Sequence, residues 1–218
     1  CSSLTALSLE NLISINTINN NFLSGCSKLT SIDIGTLINV RTIKDNFLQN
    51  CSSIQEINFI GFTDLRTIGN YFLSGCSSLA SLDFTNVTNV ETIGTYFLDG
   101  CKGLLSIDFA GFEKINSVGS NFLNGFGDSW KLNKIILPEE YHVGFAKAFS
   151  SLAKANHWYG TNQNSGKFII PAETINLYAH DWGYNDTDIQ RHIVEKGKGY
   201  ISLNSTYTYT LNDDFNVK

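Results

Sequence analysis

Five cysteines and four histidines are the residues of this chain with redox, nucleophilic or metal-binding capacity. Cys1, Cys26, Cys51, Cys76 and Cys101 recur at a spacing of 25 residues. Stacked in a column about one strand spacing apart, their Cα atoms would lie within disulfide range. Three features argue against pairing: the count is odd, the side chains of one column point the same way, and a Phe-Leu pair places each cysteine on a buried side. There a cysteine acts as a small hydrophobe, so free structural thiols are expected. Zinc needs short paired spacings, and no C-x-x-C or similarly spaced histidine pair occurs, so no metal site is assigned. Lipid modification of Cys1 competes with the simpler reading that Cys1 holds its place in the repeat.

The histidines His142, His157, His180 and His192 all fall after the last repeating cysteine, and His180 opens the triplet His180-Asp181-Trp182. A general base of this kind needs a nucleophile brought to it by the fold, and no nucleophile motif accompanies it. The chain is therefore read as a non-enzyme without catalytic residues or cofactor.

Such residues must be positioned by the repeat itself. In each unit the fourth, seventh and ninth residues are apolar, as in Leu79, Leu82 and Phe84. This L-x-x-L-x-L pattern predicts one short strand per unit. Alternation points the seventh and ninth side chains inward and the sixth, eighth and tenth outward. Positions fifteen and eighteen are apolar, followed by Phe22-Leu23, Phe47-Leu48, Phe72-Leu73, Phe97-Leu98 and Phe122-Leu123, an expected aromatic spine. Gly or Asn at position twenty-five demands positive φ and is read as ending a short helical turn. Thr or Ser at position seventeen is read as a structural hydroxyl ladder.

The motif C-S-x-L-x-S-I-D-F followed by T-I-G-x-x-F-L-x-G-C resembles the BspA-like class of leucine-rich repeat. The resemblance covers about residues 1 to 137. Two departures stand out: a longer turn after the strand, and Phe followed by Leu. It implies an α/β leucine-rich-repeat solenoid of about five units plus a degenerate sixth, with a parallel sheet on the concave face. It also implies a surface or secreted protein that adheres to host or matrix proteins or to other cells.

Outward strand positions can vary without disturbing the core, so recognition residues are expected there. On the concave face these are Asp33, Glu56, Asn58, Ser81, Asp83, Ser106 and Asp108, with Ser8, Ser31 beside them. Aligned carboxylates suit a basic protein surface, or calcium through oxygen ligands. The bland alternative is that they cap turn amides or keep the surface soluble. The leading reading is a non-catalytic binding or adhesion module. The alternative is a rigid spacer presenting another domain.

A net charge of -5 and the lack of a basic run argue against nucleic acid. No stretch approaches the apolar length of a membrane span, so no membrane insertion is expected. The absence of methionine and the start at a repeat position suggest a fragment of a longer protein.

Beyond Gly125 the register loosens, with a last strand at Leu132, Ile135 and Leu137 before Pro138. Residues 138–218 are expected to form a cap or small α+β domain. An amphipathic helix is predicted from Glu139 to His157 with acidic residues at its start, then a strand at Lys167 to Ile170. A second helix is predicted from about Asp186 to Lys196, and a strand pair around STYTYTL.

Overall fold

A computed structural model describes residues 1–9, 12–125, 131–153, 167–171, 173–183 and 193–196. The units build two parallel ladders. The front ladder holds β1 (Ala6–Ser8), β3 (Ser31–Asp33), β6 (Ser81–Asp83), β8 (Ser106–Asp108) and β10 (Lys134–Ile136). The back ladder holds β2 (Thr17–Ile18), β4 (Thr42–Ile43), β5 (Thr67–Ile68), β7 (Thr92–Ile93) and β9 (Ser117–Val118). Paired strands run parallel and are offset by one unit, as Thr42 with Thr67 and Leu82 with Ile107, until β10, where Lys134 pairs with Ser106 at a longer spacing. The result is a parallel-sheet solenoid of about six turns with few helices.

Burial follows the repeat. Ile32, Ile57, Leu82 and Ile107 at position seven are buried, as are Ile34, Phe59, Phe84 and Phe109 at position nine. Residues between them face solvent, which is the pleat of a half-buried strand. Phe22, Phe47, Phe72, Phe97 and Phe122 stack face to face at 4.9 to 5.7 Å with interplanar angles of 5 to 12°. Their spacing is the inter-unit rise, so removing one ring opens a cavity that neither neighbour can close without breaking its own stack. Truncation of Phe97 to Ala would cost about 3–5 kcal/mol.

The expected helical turn before each cysteine is not helical. Positions twenty-one, twenty-three and twenty-five all take positive φ, as in Tyr71 (56°), Leu73 (55°) and Gly75 (77°). Left-handed φ is costly for leucine, and ladder bonds hold it there. The N–H of Leu73 donates to the Phe47 carbonyl at 2.9 Å, while those of Tyr71 and Gly75 donate to Thr95 and Asp99 of the following unit at 2.8 and 2.7 Å. Alternate amides thus point to opposite neighbours, giving the coil a third hydrogen-bonded side. At position seventeen the backbone stacks in the ladder, and the Thr17 hydroxyl donates to the adjacent Asn16 side chain at 3.0 Å.

The front ladder is interrupted at unit three. Residues 56–58 keep the in-out alternation but carry no strand pairing. Nearby, the Ala80 N–H donates to the Gln55 carbonyl. The interruption coincides with the change from Leu9 and Ile34 to Phe59, Phe84 and Phe109 at position nine. Phe59 packs on Phe62, Phe72 and Phe84, leaving the aliphatic units behind it with a differently shaped partner.

The sheet also continues past Leu137. β10 pairs with β11 (Lys167–Ile170), and β11 with β12 (Ile193–Glu195), both in parallel. The expected strand at Lys167 to Ile170 is present. The predicted second helix is corrected in part: Ile193–Glu195 is a strand, because Ile193 and Val194 are β-branched and pair with Phe168 and Ile169. The rest of that predicted span and the STYTYTL segment lie outside the described residues. The predicted cap helix is α1 (Val143–Ala153). Its start is later than expected, so Glu139 and Glu140 precede the first turn, and Glu139 pairs with Lys196. A further helix, α2 (Ile175–Trp182), closes at Gly183 in the left-handed region. Phe145 and Phe149 of α1 seat on Phe109 and Phe122.

Candidate functional site

The outer face of the front sheet carries the predicted residues. Ser31, Asp33, Glu56, Asn58, Ser81 and Asp83 are exposed, and Ser106 and Asp108 are half-buried. Register sets Ser81 beside Ser106 and Asp83 beside Asp108. Asp33 lies in the first front-sheet fragment, paired with Ser8. Glu56 and Asn58 stand between the fragments on the unpaired stretch.

The column at position eight has a structural task. The Asp33 Oδ1 accepts the Gly35 N–H at 3.1 Å, the Asn58 Oδ1 that of Ile60 at 2.9 Å, and the Asp108 Oδ1 that of Ala110 at 2.8 Å. The Asp83 Oδ1 accepts both the N–H of Thr85 at 2.8 Å and its hydroxyl at 2.6 Å. Each is an Asx turn that lets the chain leave the strand. One oxygen of each aspartate is therefore spent on the fold, which leaves its second oxygen outside the turn bond.

Electrostatics distinguish the two faces. On the back, Arg41 and Asp64 pair at 2.7 Å, and Arg66 lies 3.9 Å from Asp64 and 4.0 Å from Glu91. Charges there neutralise one another from unit to unit. On the front, burial pushes the Asp108 carboxyl above its ordinary range; the turn amide of Ala110 opposes this, the neighbouring Asp83 adds to it, and Lys196 and Lys134 pull it back. Like carboxylates one strand apart repel. Lys134, Lys196 and Thr85 are parts of this surface that sequence reasoning missed. Lys134 stands in register with Ser106, a position that the loosened spacing after Gly125 concealed.

At its C-terminal end the outer column turns apolar: Ile136, Ile169 and Val194 are buried at 8, 2 and 2% exposure, with Ala110 against them. The signal was legible as continuous rather than alternating apolar residues, as in Ile135-Ile136-Leu137 and Phe168-Ile169-Ile170, the mark of strands covered on both faces.

The cysteines form the expected column. Cys26, Cys51, Cys76 and Cys101 are buried and unpaired, whereas Cys1, expected on a buried side with the others, is exposed. The thiols of Cys51, Cys76 and Cys101 donate to the carbonyls of Leu23, Leu48 and Leu73 at 3.0 to 3.2 Å. Burial pushes Cys51 up to about 11 and Cys101 to about 12, and holds Cys76 well above the ordinary thiol range. A thiol so placed is neutral at physiological pH and cannot act as a nucleophile.

His180 and Asp181 meet at 3.2 Å between Nδ1 and Oδ1, and Asp181 also accepts the Tyr141 hydroxyl. His180 is exposed on a helix surface, and among the described residues no serine or cysteine hydrogen-bonds to the pair. Trp182 is buried, its Nε1 donating to the Ala146 carbonyl at 2.9 Å. The triplet thus ties α2 to α1. His157 and His192 lie outside the described residues. Among the described residues no cluster of three or more His, Cys, Asp or Glu could hold a metal, and no helix is long and apolar enough to cross a membrane.

No curated protein and no solved structure matches the chain. A family model of the BspA type leucine rich repeat region matches in six copies, over residues 1–125 and 67–169. With the cysteine column, the phenylalanine stack and the unit-by-unit parallel ladders, this match shows that the chain belongs to the BspA-type leucine-rich repeat family.

Proposed function

We propose that this chain is a non-catalytic protein-binding module whose outer sheet face engages a basic protein surface, in adhesion at a cell surface or after secretion. A leucine-rich-repeat solenoid of this family suggests a protein-interaction role, and family members are often surface or secreted proteins. The observation that carries the choice of face is the carboxylate column. Asp33, Asp83 and Asp108 each anchor one oxygen in a turn, so the other is presented at little further entropic cost. The back face, by contrast, has already paired its charges.

The test is binding of the purified chain to a panel of extracellular-matrix and cell-surface proteins, beside the double variant Asp83→Asn, Asp108→Asn. Asparagine keeps the turn acceptor and removes the charge, as Asn58 does in this protein. Salt-sensitive binding that weakens roughly tenfold, about 0.7 kcal/mol per carboxylate, supports the reading. Unchanged affinity in the double variant overturns it.

A further inference from the structure

Positions twenty-four and twenty-five form the same bend in every unit: Ser24-Gly25, Gln49-Asn50, Ser74-Gly75, Asp99-Gly100 and Asn124-Gly125. The second residue of each bend lies in the left-handed region, at φ of 60 to 77°. In the first four bends its N–H donates to the carbonyl that opens the next bend: Gly25 to Gln49, Asn50 to Ser74, Gly75 to Asp99 and Gly100 to Asn124, at 2.7 to 2.8 Å. The fifth bend departs from this rule. Its Asn124 carbonyl accepts the Gly100 bond, but the Gly125 N–H has no acceptor among the described residues. Where a sixth bend would supply one, the chain forms α1, whose Phe145 and Phe149 seat on Phe122. Asn124 is exposed, and Asn124-Gly125 is the only Asn-Gly pair in the chain.

The side-chain amide carbon of an asparagine is open to attack by the backbone nitrogen of the next residue, which closes a cyclic imide. A side chain on that next residue crowds the closure, and glycine has none. A nitrogen whose N–H is bonded in a ladder must leave that bond before it can attack. The amide must also be reached by water, which takes the proton and later opens the ring. Asn124-Gly125 meets all three conditions. Asp99-Gly100 does not, because the Gly100 N–H is bonded and the Asp99 Oδ1 is buried. In Asn116-Ser117 the attacking N–H is held by the Glu91 carbonyl at 3.2 Å, and in Asn50-Cys51 by the Leu48 carbonyl at 3.2 Å.

We propose that Asn124-Gly125 is a self-modification site, at which the folded chain deamidates through a cyclic imide. The Gly125 nitrogen gives its proton to solvent and bonds to the Asn124 Cγ; the Cγ–Nδ2 bond breaks and ammonia leaves. One water then adds to either imide carbonyl and opens the ring, to aspartate or to isoaspartate, with no change of oxidation state. Both products add a negative charge one unit away from Asp99, whose carboxyl burial already holds above its ordinary range. Isoaspartate also lengthens the main chain by a methylene and displaces the carbonyl that receives the Gly100 N–H. The modification thus loosens the last bend of the third hydrogen-bonded side, two residues from the ring on which the cap helix sits.

Incubation of the purified chain at mildly alkaline pH, followed by tryptic peptide mapping, tests this. The peptide cut after Lys114 and Lys131 carries Asn116, Asn121 and Asn124 together, so fragmentation compares them within one molecule. Asn124 is expected to convert, with isoaspartate among the products. Asn116 is expected to convert more than roughly tenfold slower in the folded chain, because its attacking amide is held in a hydrogen bond. In denaturant that bond is gone and the gap should narrow. Asn124→Ser, with the residue that units one and three carry there, is expected to fold and to leave position 124 unmodified. Amide exchange at Gly100 should quicken in the converted fraction of the parent and stay slow in the variant. An Asn124 that keeps its amide in the folded chain, an Asn116 that keeps pace with it, or a gap that denaturant leaves unchanged overturns the proposal.

Discussion

Replacing Asp83 by Ala and, separately, by Asn separates the two jobs that its carboxylate could have. The Oδ1 atom accepts two hydrogen bonds from Thr85, at 2.8 Å from the amide and 2.6 Å from the hydroxyl. Loss of a comparable side-chain cap costs about 0.5–2 kcal/mol. With two bonds lost at an exposed turn, about 1–2 kcal/mol is expected for Ala. For a chain of this size each kcal/mol moves the melting temperature by roughly 2–4 °C, so Asp83→Ala should melt roughly 2–8 °C lower. Asn keeps the acceptor and ends the repulsion with Asp108, and the shift should stay within about 0.5 kcal/mol of zero. Thermal melts by circular dichroism at neutral pH decide the matter. If Asn falls as far as Ala, or if Ala does not move, the turn bond is not what the residue contributes. The reading of the column as a set of fold-anchored carboxylates then fails.

Other consequences can be measured directly. Ellman's reagent should label one thiol of five rapidly in the native chain, Cys1, and the buried four only on unfolding; fast labelling of two or more contradicts the burial. Because folding holds the Cys51 and Cys101 thiols neutral to about 11 and about 12, the stability they confer is complete below the ordinary thiol range near 9. It is lost as pH rises beyond that range, so the denaturation midpoint should fall on the alkaline side. His142 works in the opposite direction: burial lowers its pKa from 6.5, against smaller contributions from Glu140 and Glu113. Its contribution is complete above that value and declines as pH falls below it, and His142→Gln should flatten this acid limb. Amide exchange at residues 56–58 should outpace that at 81–83, since the first stretch lacks the strand pairing of the second; equal protection would show a continuous sheet.

The repeat, its class and most of its core were legible in the amino-acid order. A period of 25 with apolar residues at fixed positions leaves one economical solution: units that cannot bury their own faces must stack, and stacking in register brings like residues together. Leu82, Phe84, Phe97 and Cys101 could be placed inside without coordinates for that reason. The outward placement of Asp33, Asp83 and Asp108 followed from the strand period of two. The cap helix and the strand at Lys167 showed themselves through the same periodicities.

Tertiary contacts decided what local patterns leave degenerate. The Phe-Leu segment read as a helical turn because its apolar spacing suits one. Its backbone alternates into the left-handed region because the Leu73 amide is claimed by one neighbouring unit and those of Tyr71 and Gly75 by the other. Ile193 and Val194 became strand because β11 offered an open edge. Residue type alone could not show that the position-eight carboxylates spend an oxygen on the following turn, since this depends on where the chain bends after the strand. The sequence by itself determined the stacking direction, the inner and outer faces and the identity of the core, because periodicity is a property of order along the chain. The structure alone decided backbone handedness in the loops, the break at unit three and the closing of the last back strand by α1, because each is settled by partners supplied from another part of the chain.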